Sequence, residues 1–219
     1  MSTIAARIEA VQQAASAQAL FVATRALAEA DHGESIDPAA IRCLVEVLGF
    51  NNPGAAVAAV DGLIRLGSSA VDPLLTSLDP RNYGARAWAV RALAGIGDVR
   101  GLELLEEALA TDVGPSVRRA AACGLGQLQL ASLEAAERHQ VRERALSALV
   151  AGCTDGEWVV RYAVAVGLEA LGRRMEPLPQ QRQRTLTALE ALSRLELEPT
   201  PVVRLRARLA QQRLQEQKP

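Results

Sequence analysis

Aromatic side chains are scarce in this 219-residue chain, which holds two Trp, two Tyr and two Phe. Few aromatic or β-branched runs are therefore available to build strands. A core of Ala, Leu and Val points instead to closely packed helices. Cysteine is scarce too, and Cys43, Cys123 and Cys153 lack C-x-x-C spacing. Each lies in an apolar helical stretch such as "IRCLVEVL", as expected of small core residues in a reducing cytosol. His32 and His139 have no ligand spacing, which argues against a metal site. A formal net charge of -1 excludes a whole-chain polyanion binder. No apolar run approaches the ~18 residues of a membrane span. The opening "MSTIAARIEAVQQAA" lacks the apolar stretch of a secretory signal. A soluble, cytoplasmic protein is expected.

Catalytic motifs are equally sparse. "GIGDVRG" (95–101) is one residue too long for G-x-G-x-x-G, and no strand precedes it. There is no nucleophile elbow and no H-E-x-x-H. No pair of carboxylates stands out as an acid–base couple. Chemistry alone describes a scaffold or interaction module.

What the sequence does have is a repeat. "GARAWAVRALAGIGD" (84–98), "SVRRAAACGLGQL" (116–128), "VVRYAVAVGLEALG" (159–172) and "VVRLRARLAQQRL" (202–214) align on Arg86, Arg118, Arg161 and Arg204. "AAVAAVDGLIRLG" (55–67) aligns with Ala56 in that place, and "LFVATRALAEA" (20–30) is a weaker copy. Seven residues on stand Leu63, Leu93, Leu125 and Leu168; ten on stand Leu66, Ile96, Leu128 and Leu171. These spacings place them on one helix face. Gly67, Gly97 and Gly172 are expected as left-handed caps. Asp112, Asp155 and Glu198 precede the arginine by six residues and Asp79 by seven. Acidic groups suit a helix N-terminus, and the pattern also resembles the acid–arginine ladder between stacked HEAT-like repeats, which implies a structural role for these arginines.

Second helices lie between, as in "SAVDPLLTSL", "VRGLELLEEALA", "QVRERALSALVAGC" and "QQRQRTLTALEALSRL". Pro38, Pro53, Pro73, Pro115, Pro179 and Pro201 fall at turns or first helical positions. Two short helices per roughly 30–43 residues is the period of HEAT or armadillo arrays. The sequence thus predicts an all-α protein of eleven or twelve helices: a right-handed α-solenoid of five to six HEAT-like hairpins. Residues 1–219 read as one repeat domain, with 1–30 an atypical first repeat, 31–199 the central repeats and 200–219 a capping helix. "RRMEPLPQQR" (173–182) reads as a loop. The basic cluster Arg204, Arg206, Arg208, Arg213 and Lys218 reads as a solvated outer face, with a docking surface for a partner or anionic ligand as the alternative.

Two repeats stand apart. Tyr83 and Trp158 lie three residues before the arginine, where Pro115 and Pro201 stand in other copies. Trp88 replaces the alanine of the other repeats (Ala58, Ala120, Ala163). It shares a face with Arg91, Ala92 and Gly95, off the Val90–Leu93–Ile96 stripe. Such a ring either lines a pocket or fills a gap between repeats.

"GFNNPGAAVAAVDGLIRLG" (49–67), "NYGARAWAVRALAGIGD" (82–98), "SVRRAAACGLG" (116–126) and "EWVVRYAVAVGLEALG" (157–172) resemble the F subunit of the E/F-type phycobilin lyases, in order over residues 35–175. The resemblance implies a heterodimer with an E-type subunit of similar repeats. It implies phycocyanobilin bound as substrate, with no cofactor, and its attachment through a thioether to a cysteine of a phycocyanin α subunit. The reacting thiol then belongs to the substrate protein. Holding a bilin needs arginine for its propionates and aromatic faces for its pyrroles. Tyr83, Arg86, Trp88, Arg91, Trp158, Arg161 and Tyr162 are the candidate binding residues, and no general acid is assigned. Isomerising relatives carry an adjacent His–Cys pair, whereas His32 and Cys43 are eleven apart, so isomerisation is not expected. Two other readings remain open: a non-catalytic phycobiliprotein chaperone or phycobilisome-turnover adaptor, and a HEAT interaction protein without a bilin role.

Overall fold

A computed structural model describes residues 3–31, 36–76, 81–174 and 178–216. Among these are twelve α-helices and no strand. They divide into two compact units, residues 1–98 and 99–219. The sequence shows no linker at that division.

The first unit holds α1 (Ile4–Gln12), α2 (Ala17–Ala28), α3 (Pro38–Val47), α4 (Pro53–Leu66), α5 (Val71–Thr76) and α6 (Tyr83–Ile96). Helices α2, α4 and α6 pack side by side as one layer, and α1, α3 and α5 line up behind them. The second unit holds α7 (Leu102–Thr111), α8 (Pro115–Gln127), α9 (Ala135–Gly152), α10 (Trp158–Arg173), α11 (Pro179–Ser193) and α12 (Pro201–Glu216). Here α8, α10 and α12 form the front layer and α7, α9 and α11 the rear. Each unit is therefore a stack of hairpins, the HEAT-like arrangement expected of the repeat.

The repeat positions explain why these segments fold this way. Leu63, Leu93, Leu125 and Leu168, seven residues after the arginine site, are all 0% exposed. Burial of each contributes roughly 1.5–3 kcal/mol. Pro38, Pro53, Pro115, Pro179 and Pro201 each begin a helix, where a missing N–H costs nothing. Pro73 sits in the first turn of α5.

Ties between repeats are present in both units among the described residues. In the first, Asn52 and Asn82 cap α4 and α6, their Oδ1 accepting from Ala55 N at 3.1 Å and Ala85 N at 2.9 Å. The same side chains reach across to neighbouring elements: Asn52 Nδ2 donates to Ala17 O at 2.8 Å and Asn82 Nδ2 to Gly49 O at 3.3 Å. In the second, the acid–arginine ladder appears. Arg118 donates through Nε and Nη2 to both Asp155 oxygens, at 2.7 and 2.9 Å. Its Nη1 donates to the carbonyl of Asp112 at 2.8 Å. Arg161 repeats the pattern with Glu198 and the Asp155 carbonyl.

Several expectations need correction. Gly97 caps α6 in the left-handed region (φ 72°), and Gly67 also has positive φ (61°). Gly172, by contrast, lies within α10, where a Cβ would stand 3.0 Å from Leu214 Cδ2; it is small because α12 packs there. The loop read at 173–182 is shorter, since α10 runs through Arg173 and α11 starts at Pro179. One apolar stretch, Pro53–Thr76, is long and apolar enough to match a membrane span by length and composition. Gly67 breaks it with its positive φ. Half of its most apolar window is buried inside the protein, as befits the core of a repeat stack. His32, Asp79 and Lys218 lie outside the described residues.

Candidate functional site

Four of the candidate residues fall on α6 in the first unit and three on α10 in the second. Tyr83 and Trp158 are the first residues of their helices, the place proline takes in α4, α8 and α12. They are 76% and 47% exposed, so neither ring is needed to fill a core. On α6 the Arg91 guanidinium lies 5.0 Å from the centre of the Trp88 ring, a cation–π distance. Both side chains are half-buried, as is Arg86, while Ala92 is buried. At Gly95 a Cβ would fall 2.4 Å from Ile64 Cδ1. The small residues beside Trp88 thus let α4 approach α6, and the ring and the arginine form an amphipathic pair.

On α10 the outcome is different. Arg161 has its fork on Glu198, with Nε at 2.5 Å from Oε2 and Nη2 at 2.9 Å from Oε1. Nη2 also donates to Thr200 Oγ1 at 3.3 Å. The Glu198 side chain is 1% exposed and that of Arg161 12%. The hydrogen bonds from Arg161 hold the Glu198 carboxyl below the usual range despite its burial. Arg161 therefore fills the structural role that the repeat spacing offered. Tyr162 beside it is half-buried.

The basic end of the chain is not a uniformly solvated face. Arg206 and Arg213 on α12 reach Glu169 on α10 at 2.5 and 3.3 Å, and Arg173 joins them at 3.2 Å. Glu169 is 4% exposed. Burial pushes its carboxyl up, but the hydrogen bonds and charges of Arg206 and Arg213 pull it below the ordinary value. Arg204 donates from Nη1 to the Glu198 carbonyl at 2.7 Å, and Arg208 to that of Ser193 at 3.3 Å. The repeat pattern does not single out Glu169. Its one signal there is a lone carboxylate, since Gly126 and Gln212 hold the aligned places.

The cysteines are held as thiols. Burial, aided by Glu46, pushes Cys43 up to about 11, and burial pushes Cys153 up to about 12. Cys153 lines a 370 Å³ hollow between α9 and α11 with Val150, Arg184, Thr187 and Ala191. Burial also raises Cys123, against the opposing charges of Arg119 and Arg206. Among the described residues no three His, Cys, Asp or Glu side chains gather as metal ligands.

The comparisons with known proteins agree with this fold and these segments. Residues 44–126 match the HEAT repeats. The chain is 55% identical over 175 residues to the bilin biosynthesis protein RpcF of Synechococcus sp. (strain WH8020), covering 80% of this chain and 81% of that protein. It is 52% identical over 169 residues to the phycocyanin alpha phycocyanobilin lyase CpcF of Synechocystis sp. (strain ATCC 27184 / PCC 6803 / Kazusa), covering 77% of each. The chain belongs to the F subunits of the E/F-type phycobilin lyases. A chain in the complex of CpcE and CpcF of phycocyanin lyase from Nostoc sp. PCC7120 superposes with a TM-score of 0.72 at 44% identity, over 80% of this F-type chain and 99% of that one. A designed armadillo repeat protein at 21% identity, with a TM-score of 0.56, shares the fold.

Proposed function

We propose that this F-type chain acts with an E-type subunit as a heterodimeric bilin lyase, attaching phycocyanobilin to a cysteine of the phycocyanin α subunit in the cytoplasm. The observation that carries the reading is the 52% identity to CpcF over 77% of both chains. In the reaction, the substrate protein's thiol adds to the ethylidene group of bilin ring A. A carbon–sulfur bond forms, and the electron pair of the double bond takes up a proton. The chain itself needs no nucleophile for this step, in keeping with cysteines held as thiols.

The chain's contribution is then placement. Orienting a thiol against an activated double bond supplies a large part of such a rate. Trp88 and Arg91 offer a pyrrole face and a propionate partner from one helix. Tyr83, Arg86, Trp158 and Tyr162 are the further candidates, whereas Arg161 acts through the ladder. Phycocyanobilin is a substrate in this reading, and no cofactor is required.

The test is reconstitution in a bacterial host, with this chain, an E-type subunit, apo-phycocyanin α and bilin biosynthesis expressed together. Zinc-dependent fluorescence of the α subunit on a denaturing gel, requiring both lyase chains, is the expected result. Stable E-subunit binding without transfer would overturn the catalytic reading in favour of a chaperone or adaptor.

A further inference from the structure

The open side of the α8/α10/α12 layer carries features that neither the core nor the ladder uses. Val202, Leu205 and Leu209 follow a helical spacing along α12 and are 42%, 64% and 39% exposed. The buried face of the same helix is Val203, Ala207, Ala210 and Leu214. The exposed row is thus a second apolar face, and contiguous exposed apolar surface of this kind marks interaction sites. In the aligned places α10 has Val159, Tyr162 and Val166, all half-buried.

This apolar row is flanked by positive charge. Arg206, Arg213 and Arg173 converge on the single carboxylate of Glu169, and Arg119 on α8 is exposed. Arg173 and Arg213 keep 48% and 46% of their side-chain surface open. Arg206 Nη1 is buried and has no hydrogen-bond partner among the described residues, a donor whose desolvation is uncompensated. Three guanidinium groups around one carboxylate leave a net positive site beside an apolar ledge.

We propose that this side of the layer docks an acidic amphipathic helix of the protein substrate, the apo-phycobiliprotein α subunit. The helix would lay apolar side chains on Val202, Leu205 and Leu209 and direct a carboxylate to Arg173 and Arg213, whose side chains stay open. This deepens the lyase reading and rests on it. The substrate is chosen over the E-type subunit on physical grounds. A permanent subunit interface is large and hydrophobic, whereas a partner that must bind and leave suits a small apolar row with charge steering at its rim.

The test uses the assembled heterodimer with Leu205→Asp or Arg213→Gln, both exposed positions; the buried face of α12 stays intact and Arg206 and Arg173 still hold Glu169. Binding of apo-phycocyanin α to immobilised heterodimer is measured alongside bilin transfer. The expected result is an intact heterodimer whose Kd and KM for the α subunit rise about tenfold or more, with kcat changed much less. Unchanged α-subunit binding overturns the proposal. Loss of the heterodimer assigns the face to the E-type subunit and overturns it too, as does loss of a self-associated form in favour of a second copy. Weakened α-subunit binding by the variants, together with a wild-type pair that transfers no bilin, would keep the docking surface and sink the lyase reading alone.

Discussion

Arg161 grips Glu198 with both arms of its guanidinium while its third nitrogen holds the carbonyl of Asp155, 2.7 Å away. One side chain thereby closes the turn before its own helix and fixes the turn before the next. Removing it leaves Glu198 charged and buried, and loss of one partner of such a pair costs about 3–5 kcal/mol. Arg161→Ala is expected to lower urea-unfolding stability by that order, with bilin transfer falling only as folded protein is lost. Transfer lost at full stability would return Arg161 to the bilin site.

The same pair makes the second unit sensitive to acid. Glu198 is held below its ordinary value in the folded state, mainly by the hydrogen bonds of Arg161. Its stabilisation is therefore complete above the unfolded-state value and is lost as pH falls through the lower folded-state value. Thermal stability should decline as pH drops below the usual glutamate range. Glu198→Gln should start lower and lose less between neutral and acid pH. Parallel pH profiles of the two proteins would show that the pair plays no part in acid unfolding.

Closest approach of the helices sets another constraint. A Cβ on Gly126 would lie 2.5 Å from the Gly167 backbone, and one on Gly167 2.4 Å from Ala122 O. Backbone atoms cannot yield as a flexible side chain does, so α8 and α10 would have to separate. Gly126→Ala and Gly167→Ala are each expected to destabilise by about 1–3 kcal/mol, the usual range for overpacking. Gly156→Ala, with open space around it, is expected to be near neutral. Chemical denaturation of the three variants checks the contrast.

Much of the fold is legible in the sequence because the repeat states it four times. The seven-residue step from Arg118 to Leu125 and from Arg161 to Leu168 predicts the buried stripe, and those leucines are fully buried. The acid six residues ahead predicts the ladder, which Asp155 and Glu198 form. What a one-dimensional pattern misses is who meets whom across the stack. Arg206 and Arg213 look solvated by composition, yet they meet Glu169, 37 and 44 residues away. Gly172 resembles Gly97 in the alignment, but Leu214 occupies the space beside it. The functional candidates are legible only as departures from the repeat, such as an exposed aromatic where proline is usual.

Trp88 is the departure with the clearest chemical consequence. It stands where other repeats have alanine, half-buried, with Arg91 over its ring at 5.0 Å. If the ring serves the bilin, its loss removes an aromatic face and loosens the arginine that would meet a propionate. An interaction of about 1 kcal/mol or more corresponds to roughly fivefold or more in rate or affinity. Trp88→Ala is accordingly expected to reduce bilin transfer by that factor while circular dichroism and the melting curve stay near wild type. Trp88→Phe, which keeps a ring on Arg91, should recover part of the transfer. A melting temperature that falls together with transfer would instead identify Trp88 as filler between α6 and its neighbours, and would move the search for the pyrrole face to Tyr83 on the same helix.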